Sequence, residues 1–168
     1  NAIAVVRDKS ETFVQNDINN GSFTRTIVIT VLNQRGEEYG NFYCPNDKFR
    51  ELKSFSGIIR DASGKIIRKI KKGDLTISNI DFGALATDNF DIYYNYKPAA
   101  YPYTVEYSFE EKWKNGILSY PAFYPILGSE VSVEKASTYI ETPANIQLRY
   151  KENYNSNIDI TKVRDKNI

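Results

Sequence analysis

The regular alternation of side-chain types between Tyr103 and Trp113 constrains the fold more than any other feature of this chain. Aromatic or apolar residues fill nearly all the odd positions and polar residues fill the even ones: Tyr103, Val105, Tyr107, Phe109, Glu111 and Trp113 alternate with Thr104, Glu106, Ser108, Glu110 and Lys112. Successive side chains of a β-strand point to opposite faces, so this pattern predicts a strand with one buried face. Glu111 interrupts the apolar series, and we expect it to lie where the strand emerges from the core.

Shorter patterns of the same kind predict further strands along the chain. They fall at residues 2–8 and 11–16, interpreted as an opening strand pair, and at 23–32, 39–44, 49–60, 65–71, 131–140 and 145–151. The β-branched segment 23–32 is apolar on both parities in its second half, which predicts a central strand covered on both faces. Asp61 and Gly64 suit a type I turn closed by a left-handed glycine, so 49–60 and 65–71 are predicted to form a β-hairpin.

Helical periodicity is weak throughout the sequence. No segment keeps an apolar stripe at helical spacing over three turns, so we expect at most one short helix, near residues 72–78 or 81–86. About eight to ten short strands with turn residues between them indicate a mainly all-β fold. The predicted architecture is an antiparallel β-sandwich or a barrel-like pair of sheets.

A chain of 168 residues is long enough for one domain with a substantial core. We expect a single β-rich domain over residues 1–152. Residues 153–168 are rich in asparagine and polar, which predicts an edge strand or a linker toward a downstream domain. No apolar run approaches the roughly 18 residues that a membrane-spanning helix needs, so no transmembrane segment is expected.

The charge is balanced, with 22 Lys and Arg against 21 Asp and Glu. A chain with no strong overall field does not concentrate a polyanion, so nucleic acid is not expected as a partner. The densest basic run, RKIKK at residues 68–72, is interpreted as the solvated face of a strand.

Histidine is absent from the chain and Cys44 is its only cysteine. Imidazole is the usual base for serine and cysteine nucleophiles and a common ligand of catalytic zinc, so those sites cannot be completed within this sequence. Cys44 is followed by Pro45 and lacks a local activating group other than Lys48 and Arg50. We therefore predict that Cys44 is a small structural side chain at a strand end.

Other catalytic and metal patterns are weak. The neighbours in Glu37–Glu38 and Glu110–Glu111 would point to opposite faces of a strand, so neither pair forms a glycosidase-type couple by itself. The segment NDINNGS faintly resembles the start of a calcium loop, but its glycine is one position early and a hairpin turn explains it better. We predict no catalytic residue, no metal site and no cofactor in this chain.

An aromatic segment at residues 81–102 lacks clean periodicity and is the one stretch with some functional signal. Its candidate contact residues are Phe90, Tyr93, Tyr94, Tyr96 and Tyr101. Clustered tyrosines provide rigid amphipathic surfaces for peptides, sugars or another domain. The alternative is that these rings close one end of the sandwich and belong to the core.

Several segments, taken together and in order, resemble the bacterial domain of unknown function 3857. They are RTIVITVLNQRGEEYGNF, FRELKSFSGIIRDASGKIIRKIKKGDL, YPYTVEYSFEEKW, LSYPAFYPI and VSVEKASTYIETPANIQLRYK, and the resemblance covers residues 2–151. Recurring residues of that family correspond here to Gly36, Glu37, Asp61, Gly64, Lys65, Tyr101, Pro102, Tyr103, Val105 and Tyr107. Cys44 does not correspond to any of these recurring residues.

The resemblance implies a β-rich, non-catalytic module that follows a signal peptide and precedes a transglutaminase-like domain. The chain is then expected to be exported, periplasmic or at the cell surface, with its signal peptide removed. Our first hypothesis is an accessory module, not an enzyme, that packs on or presents substrate to the downstream domain of the same polypeptide. The alternative is an independent glycan- or peptide-binding sandwich that uses the aromatic segment, and a third hypothesis is an enzyme that uses carboxylates alone.

Overall fold

The computed structural model describes residues 2–79, 89–143 and 145–146, which form two facing β-sheets. The strands are β1 (Ala4–Gln15), β2 (Gly21–Val31), β3 (Phe42–Asn46), β4 (Arg50–Arg60), β5 (Ile66–Lys71), β6 (Thr76–Asn79), β7 (Phe90–Tyr94), β8 (Tyr103–Trp113), β9 (Val131–Val133) and β10 (Ala136–Glu141). Two 3-10 helices lie at Gln34–Gly40 and Lys72–Asp74. The mainly all-β, sandwich-like fold predicted from the sequence is confirmed.

The larger sheet has the strand order β10-β1-β2-β8-β4-β5, with β9 also paired to β1. Its central pairs are antiparallel, whereas β9 and β10 run parallel to β1. Among the described residues the sheet is therefore mixed and open, with β9 and β10 at one edge and β5 at the other, and it does not close into a barrel. The parallel pairing of β9 with β1 is possible because the chain after β8 crosses back along the length of the sandwich before β9 begins. Parallel strands require a crossover connection of this kind.

The smaller sheet has the order β3-β7-β6 and covers the inner face of β8 and β4. The ring of Phe42 on β3 lies 4.5 Å from that of Phe55 on β4 and 5.6 Å from that of Tyr107 on β8. Residues 114–130, hereafter the covering segment, pack over β1, where the ring of Tyr120 lies 5.6 Å from that of Phe13. The core thus lies between the larger sheet and these two covers.

Two predicted strands at the start of the chain are one strand, β1. Its register against β2 shifts between Val6 and Asp8, which marks a β-bulge at Arg7. The extra residue reverses the alternation, so that Val6 and Lys9 both face the core. A bulge cannot be distinguished from a strand break by periodicity, and this explains why the prediction of a strand pair was wrong.

The prediction that 23–32 is a central strand is confirmed, since β2 pairs with β1 on one side and with β8 on the other. Cover on both faces is limited to the second half of the strand, where Ile29, Thr30 and Val31 are buried. On the outer face of the first half, Thr24 is exposed and Thr26 is half-buried. The β-branched side chains there reflect sheet pairing rather than burial.

The short helix expected near residues 72–78 is confirmed by the 3-10 turn at Lys72–Asp74. The 3-10 helix at Gln34–Gly40 was not expected, because its segment was interpreted as a turn only. Such short helices leave no apolar stripe in the sequence. Residues 81–86, the other candidate, lie outside the described residues, as do 147–168, which include most of the predicted strand 145–151 and all of the predicted linker.

Phe90–Tyr94 was placed in a loop but forms β7, because β3 and β6 pair with it on both sides.

The predicted hairpin between β4 and β5 is confirmed. Gly64 has a φ of +83° and donates its N–H to the carbonyl of Asp61 at 3.0 Å. The Asp61 carboxylate also accepts from the backbone N–H of Ser63 at 2.9 Å, which fixes the turn. In the basic run that follows, Ile70 is buried while the cations are exposed, as expected for a solvated strand face.

Candidate functional site

A buried polar cluster around Cys44 lies between the two sheets. Cys44 is 2% exposed, and its thiol donates to Glu111 Oε1 at 2.9 Å. Asn46 Nδ2 lies 3.1 Å from the same sulfur, and Trp113 Nε1 donates to Glu111 Oε2 at 3.2 Å. The prediction that Glu111 emerges from the core was wrong, since it is only 6% exposed beneath β3. Its carboxylate remains in the core because a thiol and an indole N–H replace the water it loses.

The environment of Cys44 disfavours its thiolate. Burial is the largest influence that raises the pKa of the thiol, and the adjacent Glu111 carboxylate raises it further. Asn46 and the more distant Arg25 act in the opposite direction but do not reverse the shift. A reactive cysteine requires a lowered pKa and access from solvent, and Cys44 has neither.

The thiol of Cys44 is therefore expected to resist modification in the native state. With a thiol-reactive disulfide reagent at pH 8, the native rate should be at least about 100-fold below the rate in 6 M guanidinium chloride, because reactivity follows thiolate fraction and access. Stopped-flow absorbance gives both rates, and a Cys44→Ser variant supplies the blank. Equal native and denatured rates would show that the thiol is exposed and ionisable.

A second buried cluster joins β1, β2 and the covering segment. Glu11 Oε1 lies 2.8 Å from Arg25 Nε and 3.2 Å from Lys9 Nζ, and Lys9 donates to the carbonyl of Tyr124 at 2.7 Å. Lys9 is 4% exposed and Glu11 is 2% exposed. Burial lowers the pKa of Lys9, and the Glu11 carboxylate opposes that change without overcoming it.

The cluster of Lys9, Glu11 and Arg25 secures the covering segment to the sheet. Arg25 also lies over the aromatic rings of Phe23 and Phe109, 5.2 and 5.6 Å from their centroids. The sequence reasoning missed this cluster. Alternation counted backward from Phe13 would have placed Lys9 and Glu11 on the same face as that ring.

The adjacent carboxylates Glu110 and Glu111 do not face one another. Glu111 faces the core while its neighbour Glu110 is exposed, as alternation predicts. Within residues 2–79, 89–143 and 145–146, no three His, Cys, Asp or Glu side chains converge well enough to hold a metal ion. The segment NDINNGS forms the β1–β2 turn, in which Asp17 Oδ1 accepts from the backbone N–H of Asn19 and Asn20. No helix in the described part of the chain has the length and apolarity to cross a membrane.

The five aromatic residues proposed as a contact surface lie in three different places. Phe90 and Tyr94 are half-buried against the core, with the Arg68 guanidinium 5.7 Å from the centroid of the Tyr94 ring. Tyr93 pairs with the exposed Tyr43 on the outer face of the smaller sheet. Tyr96 and Tyr101 form the third group and line a common cleft.

Tyr96 and Tyr101 line an open cleft of about 420 Å³ at the end of the sandwich near the β4–β5 turn. Their ring centroids lie 5.2 and 5.9 Å from that of the buried Tyr103. The Tyr101 hydroxyl donates to the Glu37 carboxylate, and burial together with that carboxylate raises the pKa of Tyr101 to about 12. The other lining residues are Asp61, Ala62, Ser63, Ile67, Ala99, Ala100 and Pro102. The described lining of the cleft is thus mainly aromatic and small apolar side chains, with Asp61 as its one charged residue.

The family model described as "Domain of Unknown Function with solved-structure structure (DUF3857)" matches residues 19–168. The chain belongs to the DUF3857 family. The recurring family residues have structural roles here: Tyr103, Val105 and Tyr107 are buried, Gly64 closes the hairpin turn, and Glu37 accepts the hydroxyl of Tyr101. No curated protein matches the chain.

Two solved structures give the structural context of this DUF3857 domain. The crystal structure of a "putative protease" from Parabacteroides distasonis superimposes with a TM-score of 0.65 at 17% identity, over 83% of this chain and 29% of that one. It shares the fold, and this chain spans less than a third of its length. The alignment with Legionella pneumophila aminopeptidase A, solved in complex with aspartic acid, covers 66% of this chain and 10% of that one at 12% identity. Its TM-score of 0.32 is too low to indicate a shared fold.

Proposed function

We propose that this DUF3857 domain is a non-catalytic accessory module of a larger protein, where it packs on or presents substrate to a downstream catalytic domain. The observation that carries the proposal is the state of Cys44. The chain's one thiol is buried and held by a carboxylate, and the sequence has no histidine to activate it. The side chain best suited to nucleophilic chemistry is therefore held inside the fold.

The shared fold supports a multidomain parent. This chain corresponds to 29% of the Parabacteroides protein, whose name refers to proteolysis, so most of that chain lies outside the shared fold. A fold does not determine an activity, and any chemistry is assigned here to the part that this chain lacks. We propose a transglutaminase-like or protease-like domain as that partner, in an exported protein that is periplasmic or at the cell surface.

Association with the downstream domain tests this function. The chain and the separately produced downstream domain should bind each other in a calorimetric titration, and they should tumble as one body in the full-length protein. A titration without heat, together with independent tumbling of the two parts in the intact protein, would contradict the proposal.

A second candidate function, binding of a peptide or a glycan, is favoured by the cleft at Tyr96 and Tyr101. A volume of about 420 Å³ lies within the range of small-ligand sites, and rings that already pack on Tyr103 lose less entropy on binding. Peptide and glycan arrays should then show ligands that Tyr96→Ala and Tyr101→Ala abolish. Tyr93→Ala, on a different face, is the matched control, and absence of any ligand would contradict this candidate.

A further inference from the structure

Three loops at the end of the sandwich opposite the cleft carry exposed apolar side chains. Leu118 is 96% exposed after β8, Ile18 is 73% exposed in the β1–β2 turn, and Phe49 is 36% exposed just before β4. The loops contact one another, because the N–H of Gly116 donates to Asn19 O at 3.1 Å and that of Lys114 donates to Phe49 O at 2.9 Å. We call the surface formed by Ile18, Phe49 and Leu118 the apolar end.

These apolar residues are not needed to form their turns. Asp17 fixes the first turn through its carboxylate, and Asp47 Oδ1 accepts from the N–H of Phe49 at 2.7 Å in the second. In the third, Asn115 and Gly116 take positive φ values of 63° and 114°. Turn positions of this kind normally carry polar side chains. The apolar side chains are therefore presented on ordered loops, which lowers the entropic cost of covering them.

The charges beside the apolar end are largely neutralised. Arg50 Nη2 lies 2.6 Å from Asp47 Oδ2, and Lys114 Nζ lies 3.3 Å from Glu51 Oε2. Lys48 Nζ lies 5.2 Å from the centroid of the Phe49 ring. An anionic membrane or a polyanion would require an uncompensated positive field, so a folded protein surface with its own apolar contact is the better match.

The path of the chain indicates which protein surface that is. Strand β10 runs parallel to β1 and ends at Glu141, which is paired with Val14, one residue before the end of β1. The chain therefore leaves the larger sheet at the same end as the β1–β2 turn that carries Ile18. A domain attached in the same polypeptide has a high effective concentration at any surface that the connecting residues can span, and the apolar end lies at the end of the sandwich where the described chain leaves β10.

We propose that the apolar end is the docking surface for the domain that follows this one in the same polypeptide. This inference rests on the proposed function and assigns it a place on the molecule. The partner then supplies an apolar recess for Leu118 and Ile18, with Phe49 at its margin.

The test uses the full-length protein and measures whether its two parts rotate together, by NMR relaxation. Ile18→Asp/Leu118→Asp should release this domain, so that its rotational correlation time falls toward that of residues 1–168 alone. Ile66→Asp/Ile77→Asp is the matched control, since Ile66 and Ile77 are 40% and 64% exposed elsewhere on the molecule, and it should keep the parts coupled. Thermal unfolding of the Ile18→Asp/Leu118→Asp variant should match the wild type, because both substituted side chains are exposed in turns, and the same measurement on the control variant confirms that it is folded.

Each other outcome has a distinct meaning. If the wild type is coupled and the apolar-end variant remains coupled, the inference is wrong while the proposed function stands. If the two parts of the wild type already rotate independently, docking fails as a whole. If sedimentation shows a dimer that the apolar-end variant abolishes, the occupant is a second copy of the protein and the inference is overturned.

Discussion

Replacing Glu11 with alanine is expected to lower the free energy of unfolding by about 3–5 kcal/mol, because it leaves a buried cation without its carboxylate. Lys9 is 4% exposed, and Glu11 Oε1 is shared between Lys9 Nζ at 3.2 Å and Arg25 Nε at 2.8 Å. Burial already lowers the pKa of Lys9 with Glu11 present. Without Glu11, the Lys9 ammonium must remain buried and unpaired, lose its proton, or withdraw from the Tyr124 carbonyl and so loosen the covering segment.

Guanidinium chloride unfolding monitored by Trp113 fluorescence measures this effect. The matched control is Glu51→Ala, which removes a carboxylate that pairs with the half-exposed Lys53 and Lys114, and it should leave stability close to the wild type. The double variant Lys9→Met/Glu11→Leu should recover most of the loss, since it removes both buried charges together. Equal effects of Glu11→Ala and Glu51→Ala would show that the Lys9 cluster does not support the fold.

Tyr107→Ala is expected to cost about 3–5 kcal/mol, which is typical of deleting a fully buried aromatic ring. The Tyr107 ring lies 5.6 Å from that of Phe42 and 5.9 Å from that of Phe55, so it joins the two sheets. Its hydroxyl donates to the carbonyl of Gly40 at 2.7 Å. Tyr107→Phe retains the ring and removes only this hydrogen bond, and should cost roughly 1–3 kcal/mol through the unsatisfied buried carbonyl.

The same unfolding experiment separates the two contributions of Tyr107. A large loss for the alanine variant with a smaller loss for the phenylalanine variant supports ring packing between the sheets as the main contribution. Equal losses for both would assign the effect to the hydroxyl and contradict the packing argument.

Local patterns predicted those parts of the fold that depend on neighbouring residues. Strand β8 follows from alternation between Tyr103 and Trp113, and the β4–β5 hairpin follows from Asp61 and Gly64, because each requires only nearby residues. The bulge at Arg7 was not predictable from alternation, since an extra residue looks like a strand break. The parallel pairing of β10 with β1 depends on a contact across most of the chain, which periodicity does not encode.

The candidate site shows the same division. A structural role for Cys44 was predicted from its own segment, but Cys44 lies in the middle of β3 and not at a strand end. Its acceptor Glu111 lies 67 residues away and was expected near the surface. The link between Tyr101 and Glu37 spans 64 residues. Tyr96 and Tyr101 meet because both pack on Tyr103, whereas Tyr93 faces outward because it alternates with the buried Ile92. Composition identifies the aromatic segment, but only the folded structure shows which of its aromatic residues lie together.

Whether this DUF3857 domain contributes chemistry of its own is tested most directly by assaying hydrolysis and acyl transfer on residues 1–168 alone and on the full-length protein. We expect no turnover by the isolated chain with generic peptide, ester and glycoside substrates. We also expect full-length activity to survive Cys44→Ser, with folding confirmed by circular dichroism. Turnover by the isolated chain that a single Asp or Glu substitution abolishes, or loss of full-length activity in a folded Cys44→Ser variant, would contradict an accessory role.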